Sequence, residues 1–535
     1  MQCQAVYFLF LQDSKQILLN QKIQIALFVL IFVAVPFAQA QKKSRVKIEK
    51  ADKQVYDEAF SKDIERLIGN VVMRQEDTRF YCDSAYLNTQ KRNFEAFGNV
   101  HIAVNDTVDV YGDRMHYEGD TRVAELFGNV RLVEKSTTLT TEHLIYNRAT
   151  KTAFYDIGGI IVNGDNTLTS KKGYYNTDSK IFYFRKDVVL INPDSETNSD
   201  TLIYNTINET AYFEGPTVIR GKESTIYCEA GWYDTKNDFS KLTKRPFISG
   251  SEQTITADSI LYDNFSSSGK AFGSVEILDT LHQVIITGKY GEMWDSEGSS
   301  FITDSVIAVT YDETDSMFIH SDTMWMYFDK ERNAKKLLAY YSVRFFRSQM
   351  QGVCDSLVYT MQDSTIRFHK SPILWSAKNQ LTADSISIFV AGNRVDSLMM
   401  YNTAFIVSKD STESFNQIRG RNMTGYFSKN ELVKISVDGN AQTVYYIREE
   451  DGYLIGINLS ESSTMDIRMV NSELNAISYK EKVVEKMYPE NDYPVGQKIL
   501  KGFSWQETLR PGDKHDIFRR QAPVNAEQVV GDSLQ

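Results

Sequence analysis

The sequence predicts an all-β fold, an elongated stack of similar layers. Three observations carry that expectation: a short phrase recurs at a near-constant period, the composition favours strands, and helical periodicity is weak throughout. Of 535 residues, 30 are Tyr and 30 are Phe while only 9 are Pro, and aromatic side chains suit a pleated, half-buried surface. A chain of this length buries a large core. The one helical candidate is a short segment near Asp57–Leu67.

The recurring phrase is Phe-Gly-Asn-Val at Phe97–Val100 and again at Phe127–Val130, with Phe-Gly-Ser-Val at Phe272–Val275 as a variant. A second phrase is in phase with it. Asp113–Tyr117 opens that series, and Glu142–Tyr146, Lys171–Tyr175, Asp200–Tyr204, Glu229–Tyr233 and Asp258–Tyr262 continue it, the closing tyrosines 29 residues apart at every step. Asp83–Leu87, Asp322–Met326, Asp355–Tyr359 and Asp384–Ile388 are looser copies. Cys82, Cys228 and Cys354 each directly precede the acidic residue.

Each element of the unit follows from its residues. The tyrosine is followed by Asn147, Asn176, Asn205, Asp234 or Asp263, a turn-former that tolerates left-handed backbone. A Gly-containing phrase comes next, and then a β-rich stretch such as Val100–Val104. The unit thus reads strand, polar turn, strand, Gly bend, strand. At about 3.3 Å per residue, roughly 29 residues supply two or three ordinary strands. One unit alone leaves an apolar face open, whereas stacked units share a continuous core.

Strict alternation is broken at one place. The residues just before the tyrosine (His116, Ile145, Tyr174, Ile203, Trp232, Leu261, Val358) are mostly apolar, although on a half-buried strand they would be polar. Either both faces are covered locally or one face lines a cavity.

The ends of the chain read differently. Lys15 and Lys22 precede the apolar run Ile23–Phe37, and Ala38-Gln39-Ala40 follows, which is the pattern of a signal peptide cleaved after Ala40. The run is shorter than the about 20 apolar residues that span a bilayer. Residues 1–40 are accordingly expected to be a signal peptide and 41–64 a lead-in. Residues 65–440 form the repeated stack, 441–517 C-terminal strands and a cap, and 518–535 a disordered tail.

Several function classes are disfavoured. The formal charge of −11 is wrong for a nucleic-acid binder, which displays a basic face. Three cysteines after the export segment are an odd number and read as structural thiols rather than a disulfide scaffold. The 7 histidines have no metal-ligand spacing, and no metal or cofactor is expected. Asp-Ser pairs such as Asp83-Ser84 and Asp258-Ser259 fall at one repeat phase without a histidine partner, so they read as structure rather than as a nucleophile and its acid.

The Phe-Gly-Asn-Val copies, the spaced Asp-x-x-x-Tyr units and the export signal together resemble the OstA-like (LptA-type) family of lipopolysaccharide transport proteins. The resemblance spans roughly residues 65–440. It implies a β-jellyroll open like a folded sheet, placed in the periplasm and stacking end to end with other jellyroll-containing transport components. Lipopolysaccharide or a related glycolipid would be the ligand, its acyl chains inside and its sugars outside, with no catalysis. Groove candidates are Phe97, Tyr117, Phe127, Tyr146, Tyr175, Tyr204, Tyr233, Tyr262 and Tyr359. The repeated tyrosines are first read as a structural ladder in the core, a reading that holds alongside the groove. The alternative from another class is an exported β-helix that binds or cleaves polysaccharide, with parallel coils and acids clustered outside. An apolar lengthwise groove between antiparallel strands would separate the two.

Overall fold

The computed structural model describes residues 44–519, apart from 57–62, 105–106, 223, 295, 312–314, 332, 392–393, 411–413, 429–430, 450, 471–472, 490–491 and 495–497. The expected signal peptide at 1–40 therefore lies outside the described residues, as does all but the start of the expected tail. Among the described residues there are 38 strands and two short 3-10 helices, Glu507–Leu509 and Asp516–Phe518. No helix among them is long and apolar enough to cross a membrane. The short helix expected near Asp57–Leu67 gives way to a strand, Ile64–Gln75, at its C-terminal end. The lead-in also carries strands, Lys47–Lys50 and Lys53–Tyr56, both paired with Ile64–Gln75.

Every described pairing is antiparallel, as expected where tight turns join successive strands. A parallel β-helix is therefore not the architecture. The described residues from 44 to 104 together with Arg114–Val123 form one compact unit. Thr107–Asp113 and the described residues from Ala124 to Arg519 form the other.

Two devices shape each layer. The first is the turn after the tyrosine. Asn147 Oδ1 accepts from the backbone N–H groups of Ala149 at 2.9 Å and Thr150 at 3.2 Å, and Asn176, Asn205, Asp234 and Asp263 accept at the same offsets. These residues cap the turn with their side chains. The left-handed backbone falls four residues on, at Lys151, Lys180, Glu209, Asp238 and Ser267.

The second device is the bend, and it explains the Phe-Gly-Asn-Val phrase. Gly98 and Asn99 both have positive φ (72° and 48°), as do Gly128 and Asn129, and the strand pairing shifts register there. The acid of the preceding phrase fits into this bulge. Asn99 Nδ2 donates to Asp83 Oδ2 at 2.9 Å and Asn129 Nδ2 to Asp113 Oδ2 at 2.8 Å. A Cβ on Gly98 would lie 2.4 Å from Asp83 Oδ2. Glycine is required here both for its backbone freedom and for the missing atom. One layer keeps the contact as an ion pair with the acid moved to the bulge: Lys171 stands at the acidic position and Asp187 at the bulge, 2.5 Å apart.

The residue before the acid points into the crowded corner. Ser170, Ser199 and Cys354 fill it in different layers and donate to the carbonyl two residues on. Cys82, Cys228 and Cys354 are buried, with free thiols. Burial pushes the Cys82 thiol up to about 12 and that of Cys228 to about 11. They are small corner residues interchangeable with serine.

The bend divides each layer into two arms. In one layer the arms are separate strands, Thr152–Tyr155 before Gly158 and Gly159–Asn163 after it. At the C-terminal end an extended segment lies on the outer face of the second arms. Gln417 holds it at two points, donating to the Lys498 carbonyl at 2.8 Å and accepting from Leu500 N–H at 2.9 Å. Gln380 does the same with the Ser504 carbonyl and Gln506 N–H, both at 2.7 Å. Further along, Arg510 donates to Gln351 and Arg344 to the Leu509 carbonyl. Phe518 then packs at a tilt against His320, centroids 5.1 Å apart. Phe405, Val407, Val444, Tyr493 and Leu500 form the apolar core under this strap, with Phe503 and Trp505 against it.

Candidate functional site

A single row of side chains runs along the inner face of the second arms in the larger unit, one residue per strand. Strand pairing sets Leu139 against Ile161, Ile161 against Leu168 and Leu168 against Leu190. It continues through Thr197 and Ile219 to Ile226, Ile248, Ile255, Ile277 and Ile286. Alternation after each bend places these residues inward. Their burial does not stay constant. Leu139, Ile161 and Leu168 are buried, whereas Ile219 through Ile286 are only half-buried, although they face the interior.

The half-buried stretch lines a cavity of about 1660 Å³ between the arms, which the buried Ile161 and Leu168 also line at its N-terminal end. It is larger than the about 300–1,000 Å³ usual for small-ligand pockets. The isoleucine row forms one wall, and Leu202, Phe213, Leu242, Ile260 and Met324 on the first arms form the other. Exposed residues that line it, among them Asp194, Asn264, Leu281 and His282, place its mouth along the side.

The rims are polar and largely satisfied internally. Asp279 accepts from Gln253 at 2.8 Å and pairs with His282 at 3.0 Å. Burial pushes the Asp279 carboxyl up, but these hydrogen bonds prevail and hold it below the ordinary carboxylate value. Asp315 pairs with Arg347 at 3.3 Å and accepts from Ser348 at 2.5 Å. Lys270 pairs with Glu292 at 3.3 Å. Apolar walls beneath polar rims suit an amphiphile with its tail inside.

The tyrosines divide between packed and open layers. They occupy one row of the first arms: Tyr146, Ala153, Tyr175, Phe182, Tyr204, Ala211, Tyr233, Ser240, Tyr262 and Gly269 are successive cross-strand neighbours. Tyr204, Tyr233 and Tyr262 line the cavity, as does Tyr359 in a later layer. Tyr146 and Tyr175 are buried in packed layers outside it, and Tyr117 is fully buried in the smaller unit. Phe97 and Phe127 lie on the outward face. The former contacts Tyr86 edge-on at 5.6 Å and the latter stacks on His143 at 4.8 Å. The alternation that puts Ala96 and Leu126 inside puts these two outside.

The same repeat position makes different bonds in the two regions. Tyr175 OH donates at 2.6 Å to Glu134 Oε2, 41 residues away at the tip of the opposite arm, and Lys180 pairs with the other oxygen of that carboxylate. Burial, with the Glu134 carboxylate close by, pushes the Tyr175 phenol far up. Tyr233 instead donates at 2.6 Å to Asp238 on its own turn. The arms are joined tip to tip in the packed layer and stand apart in the open one.

The positions just before the tyrosine form an outward row on the other face of the first arms. Ile145, Phe154, Tyr174, Tyr183, Ile203, Tyr212 and Trp232 are cross-strand neighbours there. Tyr174, Tyr183 and Tyr212 are exposed. Of the two sequence readings, neither full cover nor cavity lining describes these exposed rings. The isoleucine row and the Glu134–Tyr175–Lys180 cluster were not singled out from sequence. Alternating apolar residues after each bend signalled the first, and nothing local signalled the second.

Residues 43–200 match the model of a family described as OstA-like protein. Among solved structures, the chain is similar to LptH of Pseudomonas aeruginosa, described as the LptA homologous periplasmic component of the conserved lipopolysaccharide transport device. The identity is 11%, over 26% of this chain and 95% of that one, with a TM-score of 0.21. A comparison with curated proteins found no match.

Proposed function

Taking the OstA-like match at residues 43–200 as premise, we propose that this chain is a non-enzymatic, periplasmic lipid-binding protein of lipopolysaccharide transport. It shields the acyl chains of lipopolysaccharide or a related glycolipid in its cavity while the sugars remain in water. The observation that carries the reading is the isoleucine-walled cavity under polar rims. Exposing acyl chains to water costs about 0.8 kcal/mol per CH₂, so a protein that covers them removes the main barrier to aqueous transfer without any chemistry. Other jellyroll-bearing components are the proposed partners. They would add by β-augmentation to strands such as Glu473–Lys480 and Val484–Tyr488, for which the described pairings are with Leu454–Val470 alone.

The test is site-specific photo-crosslinking in living cells, with a photoreactive residue at Tyr204 or Tyr262 and immunoblotting for lipopolysaccharide. Adducts at both positions are expected. Their absence in folded, exported protein would remove the lipid reading.

A further inference from the structure

A lipid conduit needs an interior that is continuous from end to end, and this interior is not. On the N-terminal side, Phe182 fills the row at a position where Ala211, Ser240 and Gly269 leave space in the open layers. Tyr175 lies flat on it, ring centroids 3.8 Å apart and planes 8° from parallel. Behind this wall Leu126 and Leu144 are fully buried, and the Glu134–Tyr175–Lys180 bonds tie the arm tips together. On the C-terminal side the filling returns at Leu398, Met400, Met423 and Ile435, each at most 2% exposed. The void recorded among them is about 10 Å³, the threshold for a single water. Glutamines on the reverse face of this region hold the strap.

We propose that the cavity is a bounded chamber, loaded and emptied through its side mouth, so that the chain carries a fixed load of lipid rather than threading lipids along its length. This rests on the lipid-binding reading above. Packed walls do not yield to an acyl chain without opening a core in which a single methylene is felt. The side mouth requires no such step, because exposed residues such as Asp194 and Leu281 already line the cavity there. The chemical class of ligand is an amphiphile whose several acyl chains enter together while the head stays at the polar rims.

Leucine and methionine occur in both the walls and the chamber, so the protein reports on itself. The full chain is expressed with photo-leucine and photo-methionine, loaded with lipopolysaccharide, irradiated and mapped by mass spectrometry. Adducts are expected at Leu202, Leu242 and Met324, and none at Leu126, Leu144, Met400 or Met423. Comparable adducts in either wall would overturn the chamber and leave the lipid reading standing. No adduct anywhere would remove the lipid reading and the chamber with it. Native mass spectrometry adds a second readout: bound lipid should saturate at one stoichiometry, and an open-ended ladder of loads would contradict the proposal.

Discussion

Packed layers around Leu144 and Tyr175 and open layers around Tyr233 and Ile255 are built from the same unit, with the same turn and bend. They differ in what stands between the arms. In the packed layers Phe182 fills the row and Tyr175 bonds across to Glu134. In the open layers Ala211, Ser240 and Gly269 occupy that row, and Tyr233 bonds back to its own turn. Stability and capacity are thus tuned layer by layer on one scaffold, because a repeat stack sums its layers and their interfaces. The OstA-like match at residues 43–200 coincides mostly with the packed part, and the cavity extends well beyond it.

The largest expected effect is at the wall. Phe182→Ala should lower stability by about 3–5 kcal/mol, as large aromatic truncations in cores do, and should extend photo-adducts to Leu144. Loss of stability with adducts still stopping at Leu202 would assign the wall to another residue.

A paired truncation sharpens the contrast. Leu144→Ala, in the filled core, should cost about 2–5 kcal/mol, measured by denaturant unfolding. Ile255→Ala, already beside empty space, should cost less than about half as much, because few partner atoms are lost. Equal costs would mean that the open layers are packed after all.

The bend is common to both regions and should respond alike in each. Gly128→Ala places a Cβ 2.6 Å from Asp113 Oδ2 at a φ of 73°, and roughly 1–3 kcal/mol of destabilisation is expected. Gly273→Ala, with a φ of 92° and Asp258 Oδ2 at 2.0 Å from the added atom, should match it within a kcal/mol or so. A Gly128→Ala/Asp113→Ala double-mutant cycle should recover part of the loss.

The smallest effect is at the corner thiols. Cys228→Ser should change the unfolding midpoint by no more than about 1 kcal/mol, since Ser199 holds the same position one layer earlier. Native Cys228 should react with a thiol reagent at pH 8 roughly a hundred times more slowly than in unfolded chain, since burial moves it from 9.0 to about 11 and the thiolate is the nucleophile. A raised thiol value stabilises the fold below pH 9.0, and that contribution fades as pH rises from 9.0 towards about 11. Fast labelling at pH 8 would show an open corner.

Much of this was legible in the chain itself. The 29-residue spacing of Tyr117 to Tyr262 carried the β-stack, and Asp113 and Gly128 each announced a bend by residue type. Tyr204, Tyr233 and Tyr262, which line the cavity, share one repeat phase with Tyr146 and Tyr175, which do not, so phase alone does not separate them. Phe97 and Phe127 were misplaced because a conspicuous motif was read without its alternation: the adjacent Ala96 and Leu126 are the inward residues.

By itself the sequence determined the layer, because period-2 alternation, turn capping and the glycine bend act within a few residues of one another. Only the tertiary structure decided which layers are full. That depends on the gap between two arms, closed by partners such as Glu134 and Tyr175 that are 41 residues apart, and packing across a gap is a property of both walls at once.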